Sequence, residues 1–182
     1  MKELKKNLSL LYKKILNDYI YKICNPIVVE YNSCQTETDN YMNDIRENWN
    51  YNDNNIIKYE QKLNELEAHV KNYKKKFDGN VFVYRSSDVF LLSIILPIWI
   101  AVSLSDINLF SPNNLIIVVW AFIHMTLDIL IIENEKASEK VNDNFKECKN
   151  MFYAMKMLRF EQKLISKLNW EANETQIKNI QQ

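Results

Sequence analysis

Apolar residues follow two contrasting patterns along this chain. Between residues 42 and 77 they recur at alternating steps of three and four: Met42, Ile45, Trp49, Asn52, Ile56, Tyr59, Leu63, Leu66, Val70, Tyr73 and Phe77, with Asn52 the one polar member. That spacing keeps one helical face apolar over about five heptads and predicts a long helix over 38–79. Thr36-x-x-Asp39 supplies a loose capping signal at its start, and Lys74, Lys75 and Lys76 followed by Asp78-Gly79 an ending. Between residues 89 and 132 the apolar residues run on without a polar stripe. Residues 89–105 carry no charge, and 107–127 contain no Asp, Glu, Lys or Arg. A bilayer core of about 30 Å needs about 20 helical residues, so the pattern predicts two spans, at 86–105 and 113–133. A buried hairpin of a soluble protein is the alternative, but core helices normally keep a polar stripe. Pro97 falls in the first span, where membrane helices tolerate a kink.

The ends of these runs set a topology. The short loop over 106–112, within "SDINLFSPNN", has no Lys or Arg, and its Ser111-Pro112 reads as an N-cap followed by proline at the first helical position. Lys71, Lys74, Lys75, Lys76 and Arg85 precede the first span, and Lys136, Lys140, Lys146 and Lys149 follow the second. The positive-inside rule then places both termini on the cytoplasmic (or matrix-like) side and the loop outside.

The remaining segments also read as helical. Leu4, Leu8, Leu11, Ile15 and Tyr19 mark an amphipathic helix within 1–37, stopped near Pro26 and followed by a polar linker. It is expected to dock on the long helix; its lysines make an anionic membrane surface the alternative berth. Val141, Phe145, Cys148, Phe152 and Met155 extend the second span into a helix over 134–170, with 171–182 a polar tail. The fold class expected is all-α: a two-span transmembrane helical hairpin with long inward-facing amphipathic, coiled-coil helices. Ile45, Trp49, Asn52, Ile56, Leu63, Leu66 and Val70 are the helix-association positions, and pairing within the chain and between chains both stay open.

Composition supports few corners. The 182 residues include one glycine and three prolines, against roughly a dozen and about nine at average usage. Abundant Lys, Ile, Asn and Tyr match an AT-rich coding bias, and the Asn richness is assigned to that bias. Lys plus Arg and Asp plus Glu balance at 23 each, so no charge excess points to nucleic acid. Three cysteines without metal-type spacing read as reduced thiols, and the charge-interrupted N-terminus lacks the apolar core of a secretory signal.

Catalytic chemistry finds little footing. A single glycine rules out a nucleotide loop, no Cys/His spacing suits zinc, and two histidines offer no hydrolytic triad. No enzyme activity, cofactor or metal is expected. What stands out is His124 and Asp128, four residues apart on one face of the second span, since ionisable groups at membrane depth are functional candidates. Counting residues from the outer loop brings Asp128 level with Asp88 and near Arg85 and Glu133. The pair therefore reads first as the cytoplasmic edge of the hairpin, with Asp128 meeting Arg85 or headgroup water and His124 one turn deeper.

Over roughly residues 60–170 the layout resembles the small two-span effector modules of bacterial conflict systems, which permeabilise membranes by oligomerising. The resemblance is architectural and brings no residue motif. The mitochondrial calcium uniporter pore subunit shares the layout, but it carries a D-I-M-E motif where this chain has "SDINLFSPNN" with the lone Asp106. The expected function is a non-enzymatic scaffold, anchor or assembly protein. It would sit in the lipid bilayer and meet another copy or a helical partner through its arms. An oligomeric pore is the alternative.

Overall fold

A computed structural model describes the backbone of residues 2–49, 53–103 and 112–180. Apart from Trp49, every described residue is helical. Helix α1 spans Lys2–Asn48, α2 Asp53–Ser103 and α3 Pro112–Ile180. Asn52 and the 106–111 part of the outer loop, with Asp106 and Ser111, lie outside the described residues.

Three helix ends differ from the sequence expectation. α1 continues through Pro26 and past Thr36, where a new helix was expected to begin. The break falls after Asn48, within "NWNYNDNN", a stretch whose Asn and Asp side chains compete with the helical hydrogen bonds of their own backbone. The 38–79 heptad segment is therefore divided, its first part in α1 and its remainder in α2. α2 also passes through Gly79 with no left-handed glycine among the described residues, fusing that remainder to the first apolar run. Finally, α3 stays helical to Ile180, including most of the expected polar tail.

The contacts define two compact units. In one, Gln35–Val70 packs with Asp143–Gln182. Ile45, Tyr59, Leu63, Leu66 and Val70 are buried there together with Phe145, Cys148 and Phe152, while Trp49 and Ile56 are half-buried. Ring contacts link the three segments: Tyr41 with Tyr59 at 6.3 Å, Trp49 with Tyr59 at 5.4 Å, and Trp49 with Phe152 at 6.4 Å. Tyr41 and Tyr59 donate their hydroxyls to the carbonyl oxygens of Tyr59 and Asp44. Ion pairs Lys62–Asp44, Lys149–Glu67 and Lys156–Glu60 rim this core. Beyond Phe152 the α3 surface carries an exposed apolar row, Met157, Phe160, Leu164 and Leu168, at steps of three and four.

The other unit joins Met1–Cys34 to Lys71–Asn142. Its buried residues are Cys24, Ile27, Cys34, Phe77, Asn134, Ala137, Ser138 and Val141. Polar groups fix α2 against α3: Ser138 donates to Asp78 at 2.7 Å, and the Asn80 amide donates to the Asn134 side-chain oxygen at 3.0 Å. These contacts flank Gly79, as Cys24 and Ile27 flank Pro26. Packing on both sides thus holds each weak helical position in place. The three cysteines are buried and form no disulfide.

Candidate functional site

In the second unit the apolar runs remain uncovered by the chain itself. None of the residues with described side chains over 81–101 and 117–133 is buried. In the α2 stretch Asn54–Ile98 the apolar window has a mean hydropathy of 1.7 and is 0% buried. In α3, within Ile117–Glu174, the window has a mean hydropathy of 1.6 and is 11% buried. Both helices are long and apolar enough to cross a membrane. A buried soluble hairpin would hide these windows, and this chain does not hide them.

One polar cluster interrupts the apolar surface. His124 and Asp128 lie one turn apart on α3, as their spacing requires, and Asp88 meets them from α2. The His124 Nδ1 lies 2.8 Å from Asp88 Oδ1 and 3.6 Å from Asp128 Oδ2. One ligand-type atom from each residue falls within 4.8 Å of the others. The Asp88 side chain is 16% exposed and that of His124 29%, whereas Asp128 is half-exposed at 54%. The Trp120 ring stands 5.6 Å from the imidazole and covers one side of it.

The partners differ from those expected by counting along the two helices. Arg85 pairs with Glu135 and not with Asp128. Glu133 pairs with Lys136, three residues on, at 2.9 Å. Asp88, expected level with Asp128, does bring an oxygen within 4.8 Å of one on that residue, and it comes nearest to His124, at 2.8 Å. A count of residues places a side chain only to within about one turn, and the long Arg85 side chain reaches Glu135, seven residues past Asp128 on α3. Spacing therefore brought out the His124–Asp128 pair, while the third member belongs to the opposite helix and was placed near them only by counting residues from the outer loop.

α1 also reaches this region. The Tyr19 hydroxyl is 2.9 Å from Thr126 Oγ1, and its ring packs on Phe122 at 4.9 Å. Around Tyr19 the first segment thus docks on the second apolar run, and farther along it meets the end of the heptad segment, where Glu30 pairs with Lys76 and Ser33 accepts from the Tyr73 hydroxyl at 3.2 Å. Farther along, Cys24 has its thiol pushed up by burial first and then by Glu133, with Lys136 acting in the opposite sense. It is a packing residue, not a reactive thiolate. Comparisons with protein-family models, curated proteins and solved structures found nothing that matches this chain.

Proposed function

We propose that the chain is a two-span membrane protein, anchored by the apolar parts of α2 and α3, whose remaining helices act as a non-enzymatic scaffold. The observation that carries this reading is the 0% and 11% burial of the two apolar windows. Apolar surface on that scale needs a covering medium, and lipid supplies one without any further partner. The lysine-rich flanks put both termini on the cytoplasmic (or matrix-like) side. The scaffold role rests on the exposed Met157, Phe160, Leu164 and Leu168 row, which fits a second copy or another apolar helix.

Insertion has a consequence for α1. Lys13 precedes Tyr19 by six residues, about 9 Å of helix, and Lys14 follows it. Beside α3 both lysines would face hydrocarbon, at about 2.5–3.5 kcal/mol each near the bilayer centre. In the membrane-bound protein the residues before Tyr19 therefore leave the hairpin and lie on the anionic surface, where Lys5, Lys6, Lys13 and Lys14 find phosphate headgroups.

The test is membrane retention after an alkaline carbonate wash. Val118 is 67% exposed and lies ten residues, about 15 Å, above Asp128, so about half a bilayer core from the expected cytoplasmic edge. Val118→Lys should shift the chain out of the membrane fraction, because a central lysine opposes insertion by about 2.5–3.5 kcal/mol. Full release of the unaltered chain by carbonate, or no effect of the lysine, would overturn the reading. Liposome conductance separates the scaffold from the pore: the scaffold passes no current, whereas a pore conducts and loses current on Asp128→Asn.

A further inference from the structure

We propose that Asp88, His124 and Asp128 form a binding site for a single divalent transition-metal ion, which clamps α2 to α3 at the foot of the apolar hairpin. The site goes beyond the membrane reading and does not depend on it. It rests on ligand geometry and on two atoms left without hydrogen bonds.

Geometry comes first. Donors on bonds of about 2.0–2.1 Å stand about 2.8–3.0 Å apart when they subtend a right angle at the ion, and about 3.4 Å apart at the tetrahedral angle. The separations from His124 Nδ1 are 2.8 Å to Asp88 and 3.6 Å to Asp128. Both are spacings of adjacent ligands on one ion, and the Asp88–Asp128 separation also stays within 4.8 Å. The donors come from two helices, so an ion held here joins segments far apart in sequence.

The second observation concerns polar satisfaction. His124 Nδ1 and Asp88 Oδ1 are both closed to solvent, and neither makes a hydrogen bond among the described residues. Their 2.8 Å approach is too poorly aligned to be one. A buried imidazole nitrogen and a buried carboxylate oxygen thus face each other without a hydrogen bond, an arrangement that costs about 1–3 kcal/mol per unsatisfied group. A cation between a neutral imidazole nitrogen and a carboxylate satisfies both. Asp128, half-exposed, supplies the third ligand and the way in.

The donor set selects the ion class. One imidazole with two carboxylates suits Zn²⁺, Co²⁺, Mn²⁺ or Fe²⁺, whereas Ca²⁺ and Mg²⁺ prefer all-oxygen shells. The three protein ligands leave coordination positions for water.

The full chain, without a histidine tag, is purified in mild detergent, stripped with chelator and titrated with Co²⁺ alone. The d–d absorption reports ligation directly. The expected result is one Co²⁺ per chain, displaced by Zn²⁺, with a Zn²⁺-dependent rise in melting temperature. His124→Ala and Asp128→Asn should each weaken binding by at least about tenfold and abolish that rise. Asp143→Asn, an exposed carboxylate change elsewhere on α3, should leave both unchanged. Asp128→Asn guards against misfolding, because its half-exposed side chain is replaced by one of the same shape. Absence of saturable Co²⁺ absorption, or binding that survives both variants intact, would overturn the site. Neither outcome bears on membrane retention, which the Val118→Lys experiment decides separately.

Discussion

Phe152 and Phe90 carry the same side chain into opposite surroundings. Phe152 is 1% exposed, in a core with Trp49, Tyr59 and Cys148, while Phe90 is 62% exposed on a helix whose apolar surface the chain leaves open. The core around Phe152 is apolar inside and rimmed by Lys–Glu and Lys–Asp pairs. The unit around Phe90 keeps its tight contacts at residues 24–34, 77–80 and 134–141, and none of its apolar runs is buried. One chain thus combines two relations to solvent: the first unit buries its apolar rings, whereas the second buries Phe77 and Val141 and leaves its long apolar runs open.

The largest effect should come from cutting the two phenylalanines back to alanine. Phe152→Ala removes a fully buried ring and leaves a cavity, so it should cost about 3–5 kcal/mol. Phe90→Ala should change stability in detergent by less than about 0.5 kcal/mol, as exposed substitutions away from special features do. Thermal melts followed by helical circular dichroism compare the two. Equal losses would mean that Phe90 is covered in the purified protein, by a second copy or by α1, and the contrast between the units would fail.

A smaller effect should separate the units by pH. Burial first, and then Cys148 and Tyr59 beside Tyr41 and the Asp44 carboxylate beside Tyr59, raise the two phenols above the usual value of about 10. The neutral phenol is the form that donates to the Tyr59 and Asp44 carbonyl oxygens. Because the folded-state values lie above the unfolded ones, this stability is fully present below about pH 10 and is lost as pH rises through the raised values. Melting temperature should therefore hold from neutral pH to about 10 and then fall. Tyr41→Phe should cost about 1 kcal/mol at neutral pH and blunt the alkaline fall. An alkaline fall of unchanged size in that variant would assign it to other groups.

How far the sequence revealed these surroundings depends on the range of the signal. The three-and-four spacing of Ile45, Leu63, Leu66 and Val70 marked residues that are buried, because helical periodicity is a local property. The helix break after Asn48 was hidden for two reasons. The heptad register runs unbroken across it, and the Asn cluster that makes it was assigned to coding bias. Pro26 and Gly79 misled in the other direction. Each is a local breaker, but contacts from distant segments, at Ile27 on one side and at Asp78–Ser138 and Asn80–Asn134 on the other, hold the helix through it. At the polar cluster, His124 and Asp128 are one turn apart and so legible together. The approach of Asp88 depends on the registry of α2 against α3, which residue counting fixes only to about a turn. That uncertainty is enough to take Arg85 from Asp128, which it was expected to meet, to Glu135.

The smallest expected effect comes at Gly79, and it sharpens the contrast from the side of the backbone. Gly79 is exposed, lies inside α2, has no left-handed conformation, and a Cβ added there would meet nothing within 4 Å. Nothing in the folded state requires a glycine. Gly79→Ala should therefore stabilise the protein by about 0.5–1 kcal/mol, since alanine restricts the unfolded chain and favours the helix. A modest rise in melting temperature would show that α2 is one continuous helix from the heptad residues into the apolar run. A fall would show that the chain bends at Gly79 into a conformation that alanine resists, and the 38–79 segment would then end where the Lys74–Gly79 signal placed it. Measuring the change with and without lipid vesicles extends the test: a gain in detergent that turns into a loss on vesicles would assign the glycine to the inserted form, as the residue at which α2 adjusts its angle to the bilayer.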